Sequence, residues 1–385
     1  MSKIKVNSLE GVGASTPAIS IDNTSGACAA NITSVNGGQF SNRNVIINGA
    51  CQVAQRSNLV NAQTGYGAVD RFKLQSTGAS RFTLSQHNGP GAQYGLPLSL
   101  KFETLTADNS VDAGDYMYID TKFEGQDLQR FQKGSSDAKQ FTLQFWIKLA
   151  VEGTYVVQLF DTDNSRHVVA NYTVSTANTW EKKIITFPAD TSGVLDSDNN
   201  KSFEVRWHFL GGSTYRGGTQ QTTWGSIVAA NMLEGMGNAV SATGDNFISG
   251  MQLEVGNVAT DFEHRSFGDE LLRCQRYFYK IIGTSDDMAG IGFTQSNSDN
   301  YFNMEFPVPM RDYPTLTGSA TPARFFSSNN GQDFNLNAMS LSSNMTNTNP
   351  KRVMLYVNQA GTAGGLGGAL HFQDQEGFLE FSAEL

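Results

Sequence analysis

Residues 141–149 read FTLQFWIKL, an apolar segment with the length and composition of a buried β-strand. Similar segments, alternating or continuously apolar and separated by clusters of Gly, Asn, Asp and Ser, run through the chain from Asn44 onward. No strong helical periodicity lies between them, so an antiparallel β-sandwich is favoured over alternating βα units. We predict strands at 45–48, 69–75, 80–86, 97–105, 115–121, 140–150, 154–160, 167–174, 182–187, 203–210 and 247–254.

The composition favours the same all-β class. Charged residues make up only 16% of the chain and glycine occurs 39 times. Such a mixture suits short strands joined by turns and is poor in the residues that helices prefer. At 385 residues the chain exceeds the size at which a single hydrophobic core stops growing, so we expect two or three domains.

Charge and hydropathy argue against two kinds of partner. The net charge of −9 and the pI near 5.1 disfavour nucleic acid, which is bound chiefly through clustered Lys and Arg. The chain has no apolar stretch of about 18 residues, and its first residues contain no signal-peptide core, so we expect synthesis in a cytoplasm and no membrane insertion.

The three cysteines are odd in number and widely spaced, at Cys28, Cys51 and Cys274. This pattern favours free thiols over disulfides or a metal site.

The chain divides into three regions that differ in composition and in predicted secondary structure. Residues 1–43 have no aromatic residue before Phe40 and cannot form a core alone, so we predict an extended attachment segment that pairs with a partner. Residues 44–265 hold the strands given above and form the first domain. Residues 266–385 begin with a short helix in GDELLRCQRYFYK (268–280) and continue as a smaller β domain. Its predicted strands are 288–294, 300–306, 322–326, 352–357 and 376–383, with long polar loops at 326–349 and 359–369.

Several blocks carry a family resemblance. RNVIINGACQVAQRS (43–57) followed by GYGAVDRFKL (65–74) resembles the opening of a jelly-roll domain, similar to carbohydrate-binding modules, that occurs in bacteriophage tail fibres and related virion proteins. The match continues through FTLQFWIKL, TANTWEKKIITFPAD (176–190) and the block 247–280, and LEFSAEL (379–385) resembles the usual close of these fibres. The resemblance implies a virion tail location, a parallel homotrimer, attachment to phage tail proteins through residues 1–43, and a host surface glycan as ligand.

Aromatic residues among polar ones are the candidate glycan contacts, since glycan sites combine ring stacking with hydrogen bonds. Trp146 lies in an apolar strand and is expected in the core, and Trp180 in the core or at its rim. The alternative for every candidate is ordinary core packing. The candidates are Trp224, from the polar stretch GGTQQTTWGS (217–226), and Tyr301, Tyr313, Tyr356 and His371 from the C-terminal domain.

The short helix carries the candidate trimer contact. Leu271, Leu272 and Tyr277 give it more apolar surface than one helical turn can bury, so we place it near a threefold axis. We place receptor binding in residues 281–385, because their two loops are longer than chain reversal requires.

Catalytic and metal signals are weak. The chain has no nucleophile elbow, HExxH motif, P-loop or dinucleotide-binding glycine motif, and we expect no enzyme activity and no cofactor. Structural calcium at Asp161/Asp163 or Asp196/Asp198 is an alternative to plain solvated turns.

Two rival functions stay open. Cleavage of host polysaccharide would indicate a depolymerase, and location away from the fibre would indicate a tail connector or capsid decoration protein.

Overall fold

The structure, a computed structural model, describes residues 41–284, 287–318, 323–327, 333–336, 339–342, 351–358, 364–372 and 377–385, together with residues 8–9, 19–21, 24 and 28–30. Most of the predicted attachment segment, most of the loop 326–349 and half of the loop 359–369 lie outside the described residues. Within the first region, three short antiparallel strands form a sheet in the order β1-β2-β3: β1 (Ser8–Leu9), β2 (Ile19–Ile21) and β3 (Cys28–Ala30).

The larger part of the chain folds as the predicted antiparallel jelly-roll sandwich. Its sheets have the orders β13-β10-β16-β8-β7-β4 and β15-β12-β11-β14-β9-β6-β5. The strands are β4 (Leu59–Ala62), β5 (Thr64–Tyr66), β6 (Lys73–Ser76), β7 (Arg81–Gly91), β8 (Leu96–Thr106), β9 (Tyr116–Glu124), β10 (Phe141–Lys148), β11 (Gly153–Asp161), β12 (Arg166–Val174), β13 (Glu181–Phe187), β14 (Lys201–Gly211), β15 (Gly225–Ser226) and β16 (Gly244–Val255). Short 3-10 turns lie at Ala92–Tyr94, Gly125–Asp127, Gln129–Phe131, Ser213–Tyr215 and Ala229–Asn231.

The stretch FTLQFWIKL forms β10, which lies between the edge strand β13 and β16 in the six-stranded sheet. Phe141, Leu143 and Phe145 point inward and are fully buried, and Phe145 meets Trp207 of the opposite sheet edge-on at 6.0 Å between ring centroids. Because side chains alternate between the two faces of a strand, Trp146 points outward and is only half-buried. The expectation that Trp146 lies in the core was therefore wrong.

The predicted strand at 45–48 is also absent. Val45 and Ile46 are buried as a strand would require, but the backbone turns at Asn48, whose φ is 61°. The Asn48 side-chain amide donates to the carbonyls of Val53 and Asp70, at 2.8 and 3.0 Å. Asparagine tolerates a positive φ better than most residues. Its side chain bonds to the backbone in place of hydrogen bonds to a neighbouring strand, so these apolar residues form a buried turn and not a strand.

The predicted short helix is α1 (Phe267–Gln275), which begins after Ser266, whose hydroxyl accepts a hydrogen bond from the Asp269 amide. No helix in the described part of the chain is both long and apolar enough to cross a membrane. Sheets with the orders β17-β26-β20 and β22-β21-β25-β18-β19-β24-β23 follow. Their strands are β17 (Phe278–Gly283), β18 (Met288–Thr294), β19 (Asp299–Glu305), β20 (Thr315–Gly318), β21 (Ala323–Ser327), β22 (Asp333–Leu336), β23 (Ser340–Leu341), β24 (Arg352–Asn358), β25 (Gly367–Phe372) and β26 (Gly377–Ser382).

These two sheets enclose a second, smaller core, which makes this part a second β-sandwich. It is built on Phe302, Leu355, Phe372, Leu379 and Phe381, all buried. The core of the jelly roll is a separate cluster with residues from Val45 to Leu253. The described part of the chain therefore has two β-sandwich cores in the order that the sequence predicted.

Buried ionic contacts join the two sandwiches. The Glu384 carboxylate, near the end of the C-terminal sandwich, pairs with Arg56 at 2.9 Å and with Arg71, both from the jelly roll. Arg276, which follows α1, pairs with Glu124 of β9 at 2.6 Å. The Glu384 pairs hold the last residues of the second sandwich against the first, and the Arg276 pair holds the end of α1 there.

The three residues predicted to form the trimer contact differ in burial, because one of them lies in this junction. Tyr277 is buried beneath the Arg71 guanidinium, and its hydroxyl donates to Glu124 at 2.5 Å. It therefore has no surface to offer another subunit, and this residue of the prediction is corrected. Leu272 remains exposed on α1 while Leu271 is half-buried.

Candidate functional site

Three aromatic side chains form a row across the outward face of the C-terminal seven-stranded sheet. Phe293 of β18 pairs in register with Tyr301 of β19, which pairs with Tyr356 of β24. The ring centroids are 5.7 and 5.3 Å apart. Direct cross-strand neighbours lie close enough for their side chains to touch, so the register alone produces the row. We call Phe293, Tyr301 and Tyr356 the aromatic row.

The row ends in a polar group. The Tyr356 hydroxyl donates to Asp299 at 2.8 Å and accepts from the Asn358 amide at 3.0 Å. Hydrogen bonds from Ser296 and from Tyr356 hold the pKa of Asp299 below its ordinary value, so this carboxyl is ionised near neutral pH. An ionised carboxylate and an amide beside one exposed ring, Phe293, and two half-buried tyrosine rings are suited to binding hydroxyl groups.

Apolar side chains extend the same face. Met288 and Ile291 of β18 are each 63% exposed, and Phe326 of β21 is 42% exposed. Isolated exposed apolar residues are common, whereas a cluster of them beside an aromatic row is typical of interaction surfaces.

The structure brings together two of the five predicted contact residues. Tyr301 and Tyr356 are in the aromatic row. His371 of β25 lies on the same face but pairs with Met288, roughly 13 Å along the strands from Phe293. Tyr313 lies in the turn before β20, outside this sheet.

Trp224 belongs to the jelly roll and is not freely exposed. Its indole N–H donates to the Pro188 carbonyl at 2.8 Å, and its ring packs against Phe141 and Phe203 with centroids 6.1 and 6.0 Å away. The side chain is half-buried and packs against the jelly-roll core. An indole can be buried in this way because its N–H has a hydrogen-bond partner there. The polar surroundings in the sequence gave no sign of this packing.

The jelly roll carries a second candidate on the outward face of its seven-stranded sheet. Tyr116 and Tyr118 of β9 stack at 5.5 Å, and Tyr118 also contacts His208 of β14 at 5.0 Å. Together with Arg206 and Tyr215 they line a cavity of about 200 Å³, which we call the polar cleft. The alternating tyrosines in DYMYIDT indicate one shared strand face, but the sequence does not show which face is outward.

A hydrogen-bond chain runs below the cleft. His208 Nε2 donates to Gln158 Oε1 at 3.1 Å, Gln158 Nε2 donates to His167 Nδ1 at 2.9 Å, and His167 Nε2 donates to Gln221 at 2.9 Å. These directions follow because a glutamine amide accepts at oxygen and donates at nitrogen. Burial lowers the pKa of both histidines, that of His208 furthest, so both are neutral near pH 7.

Two carboxylates beside the cleft have opposite pKa shifts. Burial, with a contribution from nearby Glu204, raises the pKa of Asp120 to about 7, although Lys122 lowers it. Burial would also raise the pKa of Glu204, but Arg206 and Lys201 hold it below its ordinary value. Neither Asp120 oxygen accepts a hydrogen bond from any described residue. Both side chains are at most 2% exposed, so a polysaccharide cannot reach them as an acid–base pair.

Carboxylates in the loops considered for calcium already interact with donor groups of the protein. The Asp161 carboxylate is buried against the Lys133 ammonium and also accepts from Asn164. Asp163 accepts from the Asp196 amide at 3.0 Å. No cluster of three or more metal-ligating side chains is found within the part of the chain that the structure describes. A lysine ammonium in the Asp161 site leaves no place for a cation, which corrects the calcium alternative there.

The chain is thus a protein of two β-sandwiches with aromatic and polar surfaces on their outward faces. No protein-family model matches the chain, and no curated protein matches it. Among solved structures it is similar to the enzymatically active domain of tailspike protein 4 of bacteriophage CBA120, with 13% identity and a TM-score of 0.33 over 55% of this chain and 21% of that chain.

Carbohydrate-binding modules are also among the similar structures. A family 11 module from Clostridium thermocellum, solved with a mixed-linked tetrasaccharide, has 12% identity and a TM-score of 0.28 over 55% of this chain and all of that chain. TmCBM27, solved for mannan recognition, has 10% identity and a TM-score of 0.23 over 52% of this chain and 86% of that chain. At these identities and TM-scores the similarity assigns neither a family nor a function.

Proposed function

We propose that this protein is a bacteriophage tail-fibre subunit that binds a host surface glycan through the aromatic row of its C-terminal sandwich. The observation that carries the proposal is the in-register alignment of Phe293, Tyr301 and Tyr356 on an outward sheet face. The row offers aromatic surface to the C–H face of a saccharide, while Asp299 and Asn358 supply an acceptor and a donor. The family resemblance of the jelly-roll blocks supports the tail-fibre assignment.

Residues 1–43 are proposed to join the fibre to the tail, residues 44–265 to form the jelly-roll domain, and residues 266–385 to form the helix and the distal domain. Each receptor contact would be weak, as expected of an open surface. Three copies in a homotrimer, and several fibres on a virion, would raise the overall affinity by multivalency without a tight single site. The mechanism is binding rather than cleavage, in keeping with the burial of Asp120 and Glu204.

The test is removal of the rings. We expect Tyr301→Ala with Tyr356→Ala to lower the binding of purified full-length protein to host cells by at least about tenfold, because two stacking platforms are lost. Binding is measured by flow cytometry with labelled protein. Ile282→Ala is the matched control, since Ile282 is 69% exposed on the other sheet of the same sandwich. Unchanged cell binding of the double variant, with an unchanged circular dichroism spectrum, would refute the assignment.

The trimer is tested at α1. Phe267 and Leu272 are 56% and 42% exposed, and no described residue covers them fully. We expect Phe267→Asp with Leu272→Asp to convert trimers to monomers, because charges in an apolar contact between subunits are costly. Light scattering gives the mass, and Val60→Asp, on an exposed residue of β4, should leave it unchanged. A trimeric double variant would place the subunit contact elsewhere.

A further inference from the structure

A cavity of about 320 Å³ lies on the outward face of the jelly roll's six-stranded sheet, on the opposite side of the sandwich from the polar cleft. One wall is aromatic. Tyr94, from the turn between β7 and β8, and Trp146 of β10 have ring centroids 4.4 Å apart and planes inclined by 39°. Tyr94 is 49% exposed and Trp146 is half-buried. We call this cavity the Tyr94–Trp146 pocket.

A β-bulge shapes the pocket. Gln144 pairs with Gln252 of β16 but Trp146 pairs with Ser249, so β16 carries one extra residue at this point. Gly250 occupies the bulge with a φ of +60°, and a Cβ there would lie 2.6 Å from the Leu96 side chain and 3.1 Å from the Trp146 ring. Glycine is needed both for the left-handed conformation and for the close approach of the indole. The bulge thus makes room for the ring on the outer face.

The polar side of the pocket holds an unsatisfied acceptor. Gln144 is 1% exposed and lines the cavity, and its amide nitrogen donates to the Thr260 carbonyl at 2.8 Å. Its Oε1 accepts from no described residue. A buried acceptor without a donor is costly, so a hydroxyl group entering the pocket would be favoured at this atom. Lys182, the cross-strand neighbour of Trp146, and His264 add donors at the rim.

We propose that the Tyr94–Trp146 pocket is a binding site for a single pyranose unit. The aromatic wall would stack on the C–H face of the ring, Gln144 Oε1 would accept from one sugar hydroxyl, and Lys182 would donate to another. The volume falls at the lower end of the range for small-ligand pockets, which suits one sugar unit rather than a long chain. The site belongs to the jelly roll alone, so it goes beyond the receptor contact proposed for the C-terminal sandwich.

The experiment uses the full chain labelled with 5-fluorotryptophan and observed by fluorine NMR. The chain has four tryptophans, so the Trp146 resonance is the one that disappears in Trp146→Phe. The probes are the methyl β-glycosides of glucose, galactose and N-acetylglucosamine at millimolar concentration. We expect at least one probe to shift the Trp146 resonance saturably while the resonance of Trp207, which is fully buried, stays in place.

Variants that keep the reporter then test the geometry. Tyr94→Ala and Gln144→Met should each weaken the titration of Trp146 by about tenfold, because the first removes half of the aromatic wall and the second removes the acceptor. Tyr301→Ala should leave the titration unchanged, so failure of the receptor proposal and failure of this one are distinguishable. Absence of a saturable shift with all three probes, or a shift that Tyr94→Ala does not weaken, would overturn the proposal.

Discussion

Replacing Glu384 with alanine is expected to lower the free energy of unfolding by about 3 to 5 kcal/mol, the usual cost of removing one partner from a buried ion pair. The Glu384 carboxylate pairs with Arg56 and Arg71, and the Arg71 side chain is only 2% exposed. Without the carboxylate, a guanidinium remains buried at the junction of the two sandwiches. Denaturant unfolding followed by fluorescence measures the effect.

A matched control separates this effect from the loss of any acidic side chain. Glu152→Ala changes an exposed glutamate of the jelly roll and should alter the free energy of unfolding by less than about 0.5 kcal/mol. Adding Arg71→Met to Glu384→Ala should restore part of the stability, because the unpaired charge is removed as well. Equal destabilisation by Glu384→Ala and Glu152→Ala would show that the junction does not depend on this pair.

Asp120→Asn is expected to stabilise the protein above pH 7 by up to about 4 kcal/mol, since each unit of pKa difference corresponds to about 1.4 kcal/mol. The pKa of Asp120 is raised from 3.8 to about 7 in the folded protein, chiefly by burial. Between these values the folded state binds the proton and the unfolded state does not. The contribution of Asp120 is therefore greatest below pH 4 and is lost as the pH rises to 7.

The measurement is the free energy of unfolding of both proteins at several pH values from 4 to 9. Asparagine cannot ionise, so the difference between variant and wild type should grow with pH between about 4 and 7 and stay constant above that. Asp137→Asn is the control, since Asp137 is exposed. A difference that does not depend on pH would mean that Asp120 is not the group with the raised pKa.

The proposed sites are distributed over both sandwiches. The aromatic row lies on the second sandwich and the Tyr94–Trp146 pocket on the first, and the Glu384 contacts fix the two together. A saccharide held in the pocket and another on the row would therefore be bound by the same subunit. In a trimer, three such surfaces would act together, and the gain would come from effective concentration rather than from new contacts.

Local sequence patterns determined the elements of this protein. The strand-like segments from 80 onward, the helix in GDELLRCQRYFYK and the succession of two β units are confirmed, because apolar alternation and helix-capping residues act over a few neighbours. The prediction of a strand at 69–75 is confirmed only from Lys73, because the preceding residues form a turn in which Arg71 has a φ of 75°. The predicted strand at 45–48 is absent, because the backbone turns at Asn48 and the Asn48 side chain bonds to a residue distant in the sequence. The turn at Asn48 depends on the carbonyl of Asp70, which the local pattern does not reveal.

Only the tertiary structure decided which surfaces these elements present. Tyr301 and Tyr356 were predicted as contacts, but their alignment with Phe293 depends on the pairing of β18, β19 and β24. The outward position of Trp146 depends on which face of β10 meets the core, and its pocket depends on a bulge in a strand about one hundred residues later. Alternation along a strand gives two faces, but the direction of each face and the register between strands arise from contacts between residues far apart in the chain.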